Sequence, residues 1–260
     1  MMSELITVKI EDGVAIITID HPPLNVLNKK VQQELVETFS MLKEDKEVVC
    51  VILETAGDKA FIAGADIKEF PSMFGDSNML ENVMEMHDLM NEIDQFPKPT
   101  IVVLDGVTFG GGCELALAFD IRIAEEQATI ALPEVKLGIF PGAGGTQRLP
   151  RLIGEARAKE MMFTGEAVGA TEAERIGLVN RVTPTGEGLA SARTLAAQIT
   201  NKSLQSLSRI KKAVDEGMDT TLEVGIQREA ELFTEIFQTE DVLEGISAFI
   251  EKRKPVFKHK

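Results

Sequence analysis

The sequence has no tryptophan, no tyrosine, two cysteines and three histidines in 260 residues. Each shortage removes a class of function. Cys50 and Cys113 stand far apart without CxxC spacing, so neither a disulfide framework nor a redox pair is on offer. Both lie among apolar residues and read as buried free thiols in a reducing compartment. A His/Cys metal centre is short of ligands. A Ser-His-Asp or Cys-His device could use only His21, His87 or His259, and none has a nucleophile motif beside it. There is no G-x-x-x-x-G-K-[ST], no HExxH and no G-x-G-x-x-G opening a helix after a strand. No uncharged run approaches the roughly 18–20 residues that span a bilayer. The start, MMSELITVKI, lacks the basic stretch and apolar block of a secretion signal. Positive charge is scarce as well: 27 Lys and Arg face 42 Asp and Glu, a net charge of −15. That charge repels a phosphate backbone at long range and disfavours nucleic acid as a partner, but it leaves room for a small anion held by local lysines. The expectation is a soluble cytoplasmic protein whose chemistry rests on carboxylates and backbone groups.

What is present is ordinary globular material, 44% hydrophobic and 27% charged. Val8 and Ile10, the turn pair Asp12-Gly13, and Val14, Ile16 and Ile19 predict a hairpin. Val31, Leu35, Phe39 and Leu42 have a helical period, as do Leu80, Val83, Met86, Met90, Ile93 and Phe96, which end at Pro97 and Pro99. Val48 to Leu53 and Ile101 to Leu104 are continuous apolar runs and predict buried strands. Residues 121–124 and 128–132 read as a strand pair around Glu125-Glu126-Gln127. Strand and helix alternate to residue 183, which argues for an α/β layered core. After that come three helical stripes, Leu204 to Met218, Leu222 to Phe237 and Val242 to Ile250. The expected division is a core over residues 1–195 and a helical region over 196–260.

Two carboxylates stand out. Glu114 opens the run GGGCELALAF, and Glu134 sits in TIALPEVKLGIF, both among small or apolar neighbours. Burial raises a carboxyl pKa toward neutrality, which suits proton transfer. A helix-start or turn carboxylate on the surface fits each of them about as well. Gly110-Gly111-Gly112 leads into a helix whose first N–H groups have no internal partner, so they could receive a developing oxyanion. FIAGAD, residues 61–66, offers a second such turn. For either turn alone, simple chain reversal is the better explanation.

Taken together, KAFIAGADIKEF (59–70), GGGCELALAFDIRIA (110–124), LPEVKLGIFPGAGGTQRLPRLIG (132–154) and GLVNRV (177–182) resemble the enoyl-CoA hydratase/isomerase, or crotonase, family. The resemblance covers nearly the whole chain. It implies an α/β crotonase-like spiral of β-β-α units with a C-terminal helical trimerisation region, giving a homo-oligomer as a trimer or a hexamer built from two trimers. It assigns the oxyanion donors to Ala65 and Gly111, the acid/base pair to Glu114 and Glu134, and substrate or water orientation to Gly142. It also assigns the coenzyme A site to residues 63–68, among them Ala63, Ala65, Asp66, Ile67 and Lys68, with Gly111 beside them. Lys59 and Lys68 would lie near the phosphates, with Lys252 reaching in from a neighbouring subunit.

The resemblance implies an acyl-CoA substrate and no metal or other cofactor, coenzyme A being part of the substrate. The retained glutamate pair favours an enoyl-CoA hydratase. The alternatives are a Δ3-Δ2 enoyl-CoA isomerase, a hydratase of a methylglutaconyl-type branched acyl-CoA, or a non-catalytic acyl-CoA-binding or RNA-binding homologue. The glutamates disfavour a non-catalytic binder, and the charge disfavours RNA. Asp105, Thr108-Phe109, Phe119 and PPLNVLN (22–28) depart from the family pattern beside the acyl or adenine pockets, so they bear on chain length more than on reaction type.

Overall fold

The hairpin forms where Asp12-Gly13 places it. Strands β1 (Ile6–Glu11) and β2 (Val14–Ile19) pair antiparallel, with Glu11 opposite Val14. Asp12 and Gly13 take φ of 50° and 79°, the left-handed pair that a two-residue hairpin turn requires. The computed structural model describes residues 4–260, the side chains of Ser72 and Met73 excepted. Met1–Ser3, the start of the N-terminal segment read above, lie outside the described residues.

Helix α1 (Lys29–Glu44) begins at Asn28, whose side chain accepts from the N–H of Val31, and it buries Val31, Leu35, Phe39 and Leu42 as their spacing predicts. The buried ammonium of Lys98 closes its other end by donating to the carbonyls of Leu42 and Asp45. The chain then repeats a pattern. Strands β3 (Cys50–Thr55) and β4 (Ala60–Ile62) precede α2 (Met79–Asp94). Strands β5 (Thr100–Leu104) and β6 (Val107–Phe109) precede α3 (Gly111–Leu117). Strands β7 (Ile121–Glu125) and β8 (Thr129–Ala131) precede α4 (Gly145–Ile153).

The first strand of each pair joins a six-stranded sheet of order β1-β2-β3-β5-β7-β10, and the second joins a four-stranded sheet of order β4-β6-β8-β9. Each strand of a pair lies parallel to its counterpart from the preceding turn. This is the β-β-α spiral that the resemblance implies. The later elements are α5 (Glu155–Thr164), β9 (Val168–Gly169), α6 (Ala170–Arg175), β10 (Arg181–Thr183) and α7 (Gly188–Thr200).

The expected pairing of residues 121–124 with 128–132 does not form. β7 bonds to β5 and β10, while β8 bonds to β6 and β9 in the other sheet. The connecting residues are spent otherwise. The buried Glu125 carboxylate accepts from Gly186 and Gly188 N–H at the start of α7, and Gln127 donates to the carbonyl of Asp105. Adjacent strands in sequence are thereby handed to different layers.

Both faces of the large sheet are covered, which is why its strands read as continuous apolar runs. Ile17, Ile19, Val51, Leu53, Val102 and Leu104 face the main core with α1, α2 and α3. Val14, Ile16, Ile52, Ile101, Val103 and Ile123 face Ala192 and Ala196 of α7. Residue 195 lies within α7, which packs on the sheet.

Beyond it lie α8 (Leu204–Met218), α9 (Leu222–Ile236) and α10 (Glu240–Ile250). α8 and α9 pair closely because Gly217 and Gly225 face each other: a β-carbon added to Gly225 would sit 3.3 Å from the Cα of Gly217. Lys211 of α8 is anchored to Asp120 of the core at 3.0 Å. Much of the apolar stripe on these helices, including Ile210, Val214, Phe233, Phe249 and Ile250, is exposed in the single chain.

Candidate active site

The site is assembled around the first turn of α3. Gly110, with φ 52°, donates its N–H to Ala131 of β8 at 3.0 Å and turns the chain into the helix. Gly112 lets the helix abut β4, since a β-carbon there would lie 2.4 Å from the carbonyl oxygen of Ile62. A β-carbon on Gly111 would lie 3.7 Å from the backbone nitrogen of Ala65 and 3.6 Å from the Leu27 side chain. The sequence-predicted pair, Ala65 and Gly111, thus comes together. Among the described hydrogen bonds none is donated by either N–H, so both are free to serve a ligand.

The turn bearing Ala65 is held from outside itself. Leu27 N–H donates to Gly64 at 2.9 Å, Ala63 N–H to Leu24 at 3.1 Å, and the buried Asn25 amide to the carbonyls of Ala56 and Ala60. Nothing in the 61–66 segment announces that residues 24–27 would brace it.

Glu114 lies one turn into α3 and is only 3% exposed. Its Oε1 accepts from the N–H of Ala143 at 2.7 Å and of Gly145 at 2.8 Å. Burial pushes its carboxyl above the usual range, while the Gly145 and Ala143 donors and the Arg148 charge pull it back. Gly145 must be small, because a β-carbon would meet Oε1 of Glu114 at 3.0 Å and Pro141 at 2.9 Å. Gly142, named from the resemblance, sits exposed in the same loop directly before Ala143. These two donors escaped the sequence reading; a glycine-rich loop beside a predicted helix was the only signal for them.

Glu134 opens a 3₁₀ turn, Glu134–Leu137, that ends at left-handed Gly138. Its Oε1 would lie 3.1 Å from a β-carbon on Gly110, and Oε2 is buried with no hydrogen-bond partner among the described residues. Burial pushes this carboxyl up to about 7, its own N–H draws it down, and the Glu114 charge raises it further. The two carboxylates therefore feel one another across the start of α3.

The coenzyme A candidates fall into two groups. Ala63, Asp66, Ile67 and Lys68 follow β4 on the turn carrying Ala65, and Asp66 caps the 3₁₀ segment Ile67–Met73 by accepting from Lys68 N–H. Lys68 and Lys59 are exposed. Lys252, also exposed, lies after α10, where no described contact joins it to this turn. Among the described residues no group of three or more His, Cys, Asp or Glu could hold a metal ion, and no helix is long and apolar enough to cross a membrane.

The family described as Enoyl-CoA hydratase/isomerase matches residues 9–260. The chain belongs to that family. A short-chain-enoyl-CoA hydratase of Clostridium acetobutylicum is 40% identical over 245 residues, covering 94% of each chain. A crotonyl-CoA hydratase of Syntrophomonas wolfei is 39% identical and covers 99% of both. The crystal structure of an enoyl-CoA hydratase from Bacillus anthracis superposes with a TM-score of 0.94 at 38% identity, over 99% of this chain and 100% of that one. The crotonase-type spiral with its helical C-terminus is thus the family fold.

Proposed function

We propose that this enzyme is an enoyl-CoA hydratase, a hydro-lyase that adds water syn across the double bond of a 2-trans-enoyl-CoA to give the 3-hydroxyacyl-CoA. The observation that carries this is a pair of glutamates, Glu114 buried and Glu134 half-buried, in unlike surroundings beside two N–H groups unpaired among the described residues. Glu114, whose Oε1 accepts from two N–H groups that oppose the upward push of burial, is assigned the ionised form; Glu134, with a buried oxygen lacking a partner among the described residues, is assigned the proton.

In that state Glu114 takes a proton from water as its oxygen bonds to the β-carbon. The alkene electrons move to the α-carbon and the thioester oxygen. The N–H groups of Ala65 and Gly111 receive that oxyanion; losing one such donor costs about 3–4 kcal/mol. Glu134 then protonates the α-carbon, and the proton left on Glu114 is released to solvent as Glu134 takes one up, which restores the starting pair. Water and the activated alkene supply every atom and electron, so the reaction needs no redox or metal group. Gly142 leaves room in the loop for the substrate or water. Residues 63–68 line the coenzyme A site, with Lys59 and Lys68 toward its phosphates and Lys252 contributed by another copy.

The hydratase names of the similar proteins, one short-chain and one crotonyl, support a short acyl group. The exposed apolar side chains of α8 to α10 support a trimer or hexamer of this chain, and we place it in the cytoplasm. The test is loss of the conjugated thioester absorbance of crotonyl-CoA. Turnover is expected; none with short, long or branched enoyl-CoAs would end the hydratase reading.

A further inference from the structure

Arg148 touches no reacting atom in the scheme above, yet it is built into the Glu114 loop. It lies in the first turns of α4, three residues after Gly145, and its side chain is only 17% exposed. One guanidinium nitrogen donates to Asn91 at 2.8 Å and to Asp94 at 3.3 Å, both on α2. The other reaches the Gly144 backbone so closely that a β-carbon there would meet it at 2.3 Å. Gly144, with φ 110°, is the residue between the two N–H donors of Glu114. The guanidinium therefore fills the space beside the centre of that loop, where α2 holds it.

Packing alone explains this residue poorly. Its Nε is buried with no partner among the described residues, and an apolar side chain would fill the space without that cost. A positive charge behind an acceptor-only carboxylate does have a use: it favours the ionised form.

We propose that Arg148 is a positioning residue of the hydration, bracing the Ala143–Gly145 loop and keeping Glu114 charged so that it can accept a proton from water. This rests on Glu114 being the base of a hydratase. The charged and titratable groups facing Glu114 are Glu134 across the start of α3, Arg148 on α4 and the neighbouring Cys113 thiol. Those around the guanidinium and its anchor are Asp94 on α2, Arg122 on β7, and Asp215 and Lys211 on α8, with Arg151 paired to Asp219 further out.

The experiment is the pH dependence of kcat/KM for crotonyl-CoA with the native enzyme and Arg148→Met, Arg148→Lys and Asp94→Asn. Loss of the cation should raise the Glu114 pKa, so the acid limb in Arg148→Met moves up by about one pH unit, roughly a tenfold loss on that limb. Arg148→Lys should restore most of the shift. Asp94→Asn removes a countercharge from the guanidinium and should move the limb down, which keeps the test open if Arg148→Met does not fold. A uniform fall in rate with an unmoved limb would reduce Arg148 to a structural ion pair and overturn the proposal. If the native protein hydrates no enoyl-CoA, the hydratase reading fails by itself. The charge coupling is then read by infrared titration of the protonated-carboxyl band that disappears in Glu114→Gln. A higher titration point in Arg148→Met supports the coupling, and an unchanged one refutes it.

Discussion

Glu114 and Glu134 are the same residue type placed 20 positions apart, and their neighbours give them different tasks. Under the proposed mechanism Glu114→Gln would remove the base and Glu134→Gln the acid. Each is expected to lower kcat by about 10²–10⁴-fold while crotonyl-CoA still binds, checked by turnover and by titration calorimetry. Stability carries a second signature. The folded-state pKa of Glu134 is raised from 4.5 to about 7 by burial, so the folded chain binds this proton more tightly than the unfolded one. The carboxyl therefore costs nothing below pH 4.5. Its cost grows as pH rises toward 7 and is complete above that. Glu134→Gln, neutral at every pH, should melt higher than the native protein at pH 8 and alike at pH 4. Thermal melts at the two pH values decide it; an equal difference at both would contradict the buried, proton-holding role. Both carboxylates were legible from their apolar neighbours. Ala143, Gly145 and Arg148 as the groups that govern Glu114 were not, because they come from a loop 29 or more residues away whose path no local pattern encodes.

Among the elements, α3 is the most tightly constrained. All seven of its residues are buried, and Gly112 is where it meets β4. Gly112→Ala would push a methyl against the Ile62 carbonyl at 2.4 Å and its Cβ at 2.7 Å. The backbone would have to part, at a cost of about 1–3 kcal/mol. A lower denaturant midpoint should be accompanied by reduced turnover, since the N–H of Gly111 shifts with the helix. Asn28→Ala tests a plainer feature: without its acceptor for Val31 N–H, α1 should lose about 1 kcal/mol, with turnover by the folded enzyme unchanged. The long helices and the strands β2, β3 and β5 were readable because their apolar patterns run for five residues or more. Strands β4, β6 and β8 are three residues each, too short to show a period of two, and of them only β8 was read as a strand, within residues 128–132. One of them, in FIAGAD, reads only as a turn. Their partners lie a whole spiral turn away, so the small sheet exists only through tertiary pairing.

At the scale of the whole molecule, α8 to α10 leave a good deal of apolar surface open. Phe249 is 84% exposed and Ile250 72%, more than a lone chain at this charge ordinarily leaves uncovered. The single-chain fold does not bury that stripe, which supports contacts between copies. Native mass in solution is expected to correspond to three or six chains. Replacing Phe249 and Ile250 together by Glu should yield smaller species with unchanged helical circular dichroism. A native monomer would defeat the oligomer proposal and take the assignment of Lys252 with it.

Composition and local pattern by themselves determined that strands alternate with helices before a helical tail, and they marked two glutamates in apolar settings and two glycine turns as candidates that the family resemblance then joined into one site. Those are properties of neighbours in sequence, where a period of two or of 3.6 and an apolar setting leave a local mark. Only the tertiary structure decided which strands share a layer, that Ala65 meets Gly111, and that a loop from α4 grips Glu114 while Glu134 keeps an oxygen unpaired. These are long-range contacts. The packing of one spiral turn on the next sets them, and the pKa difference between two like carboxyls comes from their burial and donors there.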